Sequence, residues 1–369
     1  MWGNLQLPQY NCQARFSIPL ESLTRMKLLP ALGLNELAAS GHKINDTESM
    51  TNPFSETTSW SYQDNDWLQM QTLANGATAN YTYNAIGQVT RLLNQIGSTT
   101  ISDFSSIAYD GVGNRTAVTA SIPGATALSG TTSYSYDTKD QITLETSTRN
   151  GGFTDNFGFD SAGNPTTFKG VTKTYNSNNQ QTGTGFSHDG NGNPTNYGGT
   201  TLTFDPENRL TSYGSVLTAG YNGDGLRGWK QNASGRTYFL YDGILPVVEI
   251  DSSGSVGATN TFGTNSLVSR QAGSASVSYS FDSEGSLSQR SDSSGNVLTN
   301  FLFSAHGSVL SGTVSEPFGY KAMTGYFTDF ETGQDLLTNR YAARSRVLAN
   351  GEMRSRLVAS IRQMYLSGN

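Results

Sequence analysis

The sequence predicts an all-β protein in which repeated β-hairpins form a spiralling, curved sheet. Three observations carry that expectation. A short unit recurs: an aromatic residue, Asp or Asn, two variable residues, Gly or Asn, a polar residue, an apolar residue or Pro, then Thr. The strands between the units alternate with a period of two, as half-buried strands do. The chain has 41 glycines in 369 residues and 11% aromatics, but only 14% charged residues. That balance favours strands and turns over helices.

The chain divides into four stretches. Residues 1–55 lack the repeat and are punctuated by Pro8, Pro19, Pro30 and Pro53, so an irregular N-terminal leader is expected there. The run Leu28 to Leu34 follows Arg25 and Lys27 and imitates the start of a secretory signal at Met26. Asn35 and Glu36 interrupt it, leaving no clear signal peptide. No apolar run reaches the 18 or so residues of a spanning helix, so no membrane span is expected. Cys12 is the one cysteine, which excludes an internal disulfide and a cysteine-based metal site. The formal net charge of -6 gives no reason to expect nucleic acid.

Residues 56–310 are the repeat region. Tyr109-Asp110 leads into Gly113-Asn114-Arg115-Thr116, and Tyr136-Asp137 into Asp140-Gln141-Ile142-Thr143. Phe159-Asp160 leads into Gly163-Asn164-Pro165-Thr166, and His188-Asp189 into Gly192-Asn193-Pro194-Thr195. Phe204-Asp205 leads into Asn208-Arg209-Leu210-Thr211. The Asp or Asn side chain suits an Asx-turn, accepting backbone N–H groups two residues on. The Gly or Asn three residues later supplies the left-handed residue of a tight hairpin or bulge. Asp110, Asp137, Asp160, Asp189, Asp205 and Asp282 are therefore read as turn formers. Repetition at this length signals units that bury their faces on their neighbours. In Thr132-Ser133-Tyr134-Ser135-Tyr136, and again in Val277-Ser278-Tyr279-Ser280-Phe281, one face is aromatic and the other hydroxyl. Such a sheet can turn its polar face to water, which argues for a curved sheet or shell.

Residues 311–341 carry a denser motif. Pro317-Phe318-Gly319-Tyr320 is followed by Thr324-Gly325-Tyr326-Phe327-Thr328-Asp329, Glu331-Thr332-Gly333, Leu336-Leu337 and Asn339-Arg340-Tyr341. Read physically, it is two short aromatic strands, with Asp329 to Gly333 forming a polar turn between Tyr326-Phe327 and Leu336-Leu337. Residues 342–369 are a divergent tail. Arg344, Arg346, Arg354, Arg356 and Arg362 crowd there, and no aspartate follows Asp335. Leu348, Met353, Leu357, Ile361 and Met364 suit a short basic amphipathic helix.

The motif from Pro317 to Tyr341 resembles the Rhs-repeat-associated core, and the upstream units resemble the YD repeats of the same bacterial family. The resemblance covers roughly residues 60 to 341. It implies a ribbon of hairpins spiralling into a shell, of which this chain would form a part. It implies a non-catalytic encapsulation role in a secreted or cell-surface polymorphic-toxin protein, exported by secretion machinery. The partner would be the protein's own or a fused C-terminal polypeptide payload. No payload is recognisable in this chain, so a truncated member without its toxin domain is expected. The family pattern continues past Arg340-Tyr341 with Tyr-Asp-Pro, whereas this chain reads Ala342-Ala343-Arg344. A frameshifted end and a genuine variable tail both fit. Some relatives cleave themselves with aspartates beyond the core; the matching segment is missing from this sequence, which puts that activity in doubt.

No cofactor or metal is expected. His42, His188 and His306 share no ligand spacing. Asp189-Gly190-Asn191-Gly192-Asn193 imitates a calcium loop but has Pro194 and Thr200 where Gly and Glu are required. There is no nucleophile elbow and no phosphate loop. The alternative function is a carbohydrate- or cell-wall-binding adhesin, with Trp60, Trp67 and Trp229 stacking on a cell-surface glycan. Cross-strand packing accounts for the same rings.

Overall fold

The computed structural model describes residues 48–264, 266–312 and 317–332, and the backbone of a short strand pair, Gln334–Asp335 with Leu348–Ala349. The chain is a ribbon of antiparallel hairpins in which, within each sheet, every strand bonds to its sequence neighbours. A 12-stranded sheet runs from Glu48–Thr51 to Val171–Thr172. A two-stranded link, Thr174–Tyr175 with Gln181–Thr182, leads to a 13-stranded sheet from Phe186–His188 to Val297–Asn300. A last hairpin pairs Leu302–Phe303 with Val309–Ser311. Among the described residues, no helix is long and apolar enough to cross a membrane.

The ribbon lies on itself. Asn52 of the first sheet donates to Thr261 of the second, Gln71 to Ser266, and Asn75 to Ser291. Ser102 donates to Gln289, Arg115 to Ser283, and Asn150 to the Leu310 carbonyl. The members of these pairs are 160 to 216 residues apart. Going forward along one sheet goes broadly forward along the other, so the second turn of a coil rests on the first.

Apolar side chains fill the space between. Leu92, Phe104 and Val118 of the first sheet share a cluster with Leu302, and Trp60, Leu73 and Ala77 share one with Val268. Burying a side chain of this size stabilises by about 1.5–3 kcal/mol. Gly263 is required where the Trp60 ring crosses, because a Cβ there would stand 2.2 Å from Cζ2 of the indole.

Two expectations change. The first described strand, Glu48–Thr51, pairs with Thr57–Tyr62 and lies inside the stretch expected to be irregular leader. The hydroxyl face turns to water at Ser133 and Ser135, but Ser278 and Ser280 are buried. They lie in register with Ser291 and Gln289, which bond to Asn75 and Ser102 of the first sheet. A hydroxyl face can be buried when the facing layer supplies partners.

Candidate functional site: repeat turns and the closing motif

The repeat unit folds into one turn, repeated. At Asp110, the backbone N–H donates to the Asn114 carbonyl at 2.9 Å, and Gly113 N–H returns to the Asp110 carbonyl at 3.1 Å. Oδ1 of Asp110 accepts the N–H groups of Val112 and Asn114, and Oδ2 accepts the Asn114 amide. Gly113 has φ +93°, in the left-handed region. Asp137, Asp160, Asp189 and Asp205 accept in the same way. Gly163 and Gly192 take the place of Gly113, and Asn208 does so at φ +63°. The Thr of the unit is a bulge: Tyr109 pairs with Arg115 and Ala108 with Ala117, so Thr116 has no opposite residue.

Successive turns are tied together. Asn114 also donates to Asp140 at 2.7 Å, Asn164 to Asn179 and Asn193 to Asn208, both at 2.8 Å. Each target is the left-handed residue of the next turn. This explains why that position alternates between Gly and a side chain with an acceptor. The repeat tyrosines form a second tie. Tyr83 donates its hydroxyl to the Leu68 carbonyl, Tyr109 to Val89, Tyr136 to Arg115, Tyr221 to Leu210 and Tyr241 to Arg227. Burial pushes the Tyr83 and Tyr221 phenols up to about 12.

Arg115 does more than close a turn. Its guanidinium bonds to Ser283, pairs with Glu284 at 3.0 Å and lies over the Tyr134 ring.

The closing motif packs on the face of the second sheet that carries Tyr279 and Phe281. Phe318 and Phe327 form the bridge of an antiparallel contact, and Thr328 N–H donates to the Pro317 carbonyl at 2.6 Å. Both rings are 1% exposed, among Phe239, Tyr279, Phe281 and Leu287. Gly319 lies against the Phe303 ring and Gly325, at φ +82°, against Leu245. Tyr320 donates to the Ala305 carbonyl at 2.7 Å. The motif was expected to form two strands. Its described part is a single bridge with short turns at Ala322–Thr324 and Phe330–Thr332; the Phe318 and Phe327 rings meet edge-on, 5.6 Å apart, over the sheet, and Leu336-Leu337 lies outside the described residues. Gly333, Leu336, Leu337, Arg340 and Tyr341 lie outside the residues whose side chains are described, as do Cys12, His42 and residues 350–369.

Asp329 and Glu331 hold the motif in place. Asp329 is fully buried and receives Nη1 of Arg227 at 2.5 Å and Nη2 at 2.9 Å. Lys230 Nζ lies 3.0 Å from Asp329 and 2.7 Å from Glu331. Asn232 completes the set at Glu331 Oε1, at 2.6 Å, while Thr332 turns back on the Asp329 carbonyl. The two acids share a lysine, and one of them is clamped by an arginine. This arrangement fixes the segment to the second sheet. Sequence reading missed Arg227 and Lys230. The signal for Arg227 was its place in the repeat: an arginine where the unit calls for an apolar residue or Pro.

Other candidates are engaged structurally. Trp60 is buried, Trp67 packs on Gly87 and Tyr83, and Trp229 lies over Gly220 beneath the Arg236 guanidinium. His306 sits between Phe157 and Phe168. Both carboxylate oxygens of Asp189 accept from their own turn. Among the described residues, no cluster of three or more His, Cys, Asp or Glu could hold a metal ion.

The fold places the chain in a definite class, a coiled ribbon of β-hairpins. No family model matches the chain, and no curated protein does. Solved structures do. A Photorhabdus luminescens Tc holotoxin pore carrying a mutated TccC3 matches with TM-score 0.59 and 14% identity over 83% of this chain and 20% of that one. A crystal structure of TcdB2-TccC3-TEV matches with TM-score 0.60 and 14% identity over 78% of this chain and 19% of that one. The likeness is one of fold, and this chain spans about a fifth of the length of those toxin chains.

Proposed function

We propose that this chain is a non-catalytic wall segment of an Rhs/YD-repeat shell, serving to enclose or present a polypeptide payload in a secreted or cell-surface toxin protein. The observation that carries the reading is the closing motif seated on the second sheet by the buried Asp329–Arg227–Lys230 cluster. It makes a rigid wall from a ribbon whose layers are already bonded to each other. Fold likeness to Tc toxin chains supports it, and the residues brought together are ties between turns and layers. The payload would be an unfolded or small C-terminal polypeptide, and the export route would be that of a toxin complex.

The test is protection. A small reporter polypeptide is fused after Asn369 and digested with a broad protease beside the free reporter. Encapsulation predicts digestion at least about tenfold slower in the fusion, with the advantage lost in Asp329→Ala. Equal digestion of fused and free reporter rejects the reading.

A further inference from the structure

The hairpin of Leu302–Phe303 with Val309–Ser311 carries a turn of the repeat type, with Ser304 in the place of Asp. Ser304 N–H donates to the Ser308 carbonyl, Gly307 N–H to Ser304, and Ser308 N–H to the Ser304 hydroxyl. The apolar tips of two ordinary repeat turns, Ile86 and Val112, are 77% and 75% exposed. Here the tip enters the first sheet. His306 is buried between Phe157 and Phe168. Ala305 N–H points at Glu145, whose two carboxyl oxygens both lie 3.0 Å from it. The Ala305 carbonyl accepts the hydroxyl of Tyr320 from the closing motif. One residue, Ala305, therefore joins the first sheet, the last hairpin and the closing motif.

Glu145 is 1% exposed, on the strand Ile142–Ser147. Among the described residues it forms no ion pair. Nearby charges are committed elsewhere: Lys169 to Asp155 at 3.0 Å, and Arg115 to Glu284 at 3.0 Å. Arg149 donates to the Leu128 carbonyl at 2.7 Å, and the Tyr134 ring lies under Arg115. A buried carboxylate facing one N–H group and no cation is poorly compensated when ionised.

We propose that Glu145 is a pH-dependent latch on the closing hairpin: while its carboxyl is protonated the hairpin tip and the motif beyond it stay seated, and ionisation loosens them. Burial pushes the Glu145 carboxyl up to about 7; the Ala305 N–H and Lys169 and Arg115 oppose the rise, and Asp155 adds to it. An opened hairpin exposes the group and returns it toward its ordinary value of 4.5. The seated form therefore binds the proton more tightly. Its advantage is whole below about 4.5 and falls as pH rises through about 7. The latch goes beyond the encapsulation reading and stands without it.

Hydrogen exchange on the intact chain, corrected for intrinsic rates, tests it. Peptides covering 302–311 should lose protection on the order of a hundredfold between about pH 5 and about pH 8, since each unit of pKa displacement is a tenfold change in equilibrium. Glu145→Gln should abolish that pH dependence. Tyr320→Phe should lower protection by a similar factor at every pH and leave the dependence intact. Equal pH dependence in wild type and Glu145→Gln overturns the proposal, as does unchanged wild-type protection across the range. If Glu145→Gln fails to fold, a carboxyl-carbon titration of the wild type decides: a Glu145 midpoint near 7 supports the latch, and one below about 5 overturns it.

Discussion

Arg227 and Asp329, 102 residues apart, meet as a two-pronged ion pair at 2.5 and 2.9 Å in a fully buried setting. The pair is where the repeat ribbon takes hold of the motif that follows it. Removing one partner strands a buried charge, and Lys230 loses a contact as well. Asp329→Ala should cost about 3–5 kcal/mol. The double variant Arg227→Met with Asp329→Leu should recover a large part of that loss, because a packed apolar pair carries no desolvation cost. Urea denaturation of the single and double variants measures both. A double variant as unstable as Asp329→Ala would show that the charges, rather than the space they fill, are essential.

The tyrosine ties predict a smaller, repeated effect. Tyr109→Phe keeps the ring and removes the hydroxyl that donates to the Val89 carbonyl at 2.8 Å. The carbonyl is left short of a partner, so the cost should be about 1 kcal/mol. Tyr136→Phe, which frees the Arg115 carbonyl, should behave alike. Thermal denaturation of each variant checks this, and a neutral result would assign the stability to ring packing alone.

The repeat itself was legible because its chemistry is local. An Asp that binds its own turn and a Gly at positive φ act within five residues, so Asp110, Gly113 and Asn114 announce their geometry without knowledge of the rest of the chain. The ties between turns were hidden, since Asn114 reaches Asp140 and Tyr109 reaches Val89 across a register that only the folded sheet defines. The coil was legible as repetition, but the buried hydroxyl face at Ser278 and Ser280 was not. Alternation shows that a strand has two faces, without showing that a second layer supplies partners for the polar one. Asp329 and Glu331 were recognised as motif residues and placed in a polar turn. Their cations, Arg227 and Lys230, lie about a hundred residues upstream.

The alternation of Gly and Asn at the left-handed position separates backbone freedom from bonding. Gly163 has φ +79°, so Gly163→Ala should cost about 1–2 kcal/mol through backbone strain. Asn208 has φ +63° and accepts from Asn193 at 2.8 Å. Asn208→Gly relieves any strain and deletes that tie, so its net cost should fall below about 1 kcal/mol. Calorimetry on the two variants gives the ranking. An Asn208→Gly loss larger than that of Gly163→Ala would show that the tie between turns outweighs backbone strain at this position.

Acid should act on the turns in a sense opposite to its effect at Glu145. The Asn193 amide first, then the backbone N–H groups of Asn193, Asn191 and Gly192, hold the Asp189 carboxyl below its ordinary value of 3.8. A carboxyl lowered on folding contributes stability that is present above that ordinary value and lost as pH falls through the folded one. Asn84, Asn176 and Asn222 accept the same N–H groups in their own turns, so an amide fits the position. Asp189→Asn should therefore fold. At about pH 6 it should be less stable than the wild type, because the neutral amide accepts more weakly than the carboxylate. As pH falls below 3.8 the wild type loses its charge and the gap should close. Denaturant midpoints of both proteins at about pH 6, 4 and 2.5 follow the gap. If it stays constant across that range, the turn aspartates act through shape rather than charge.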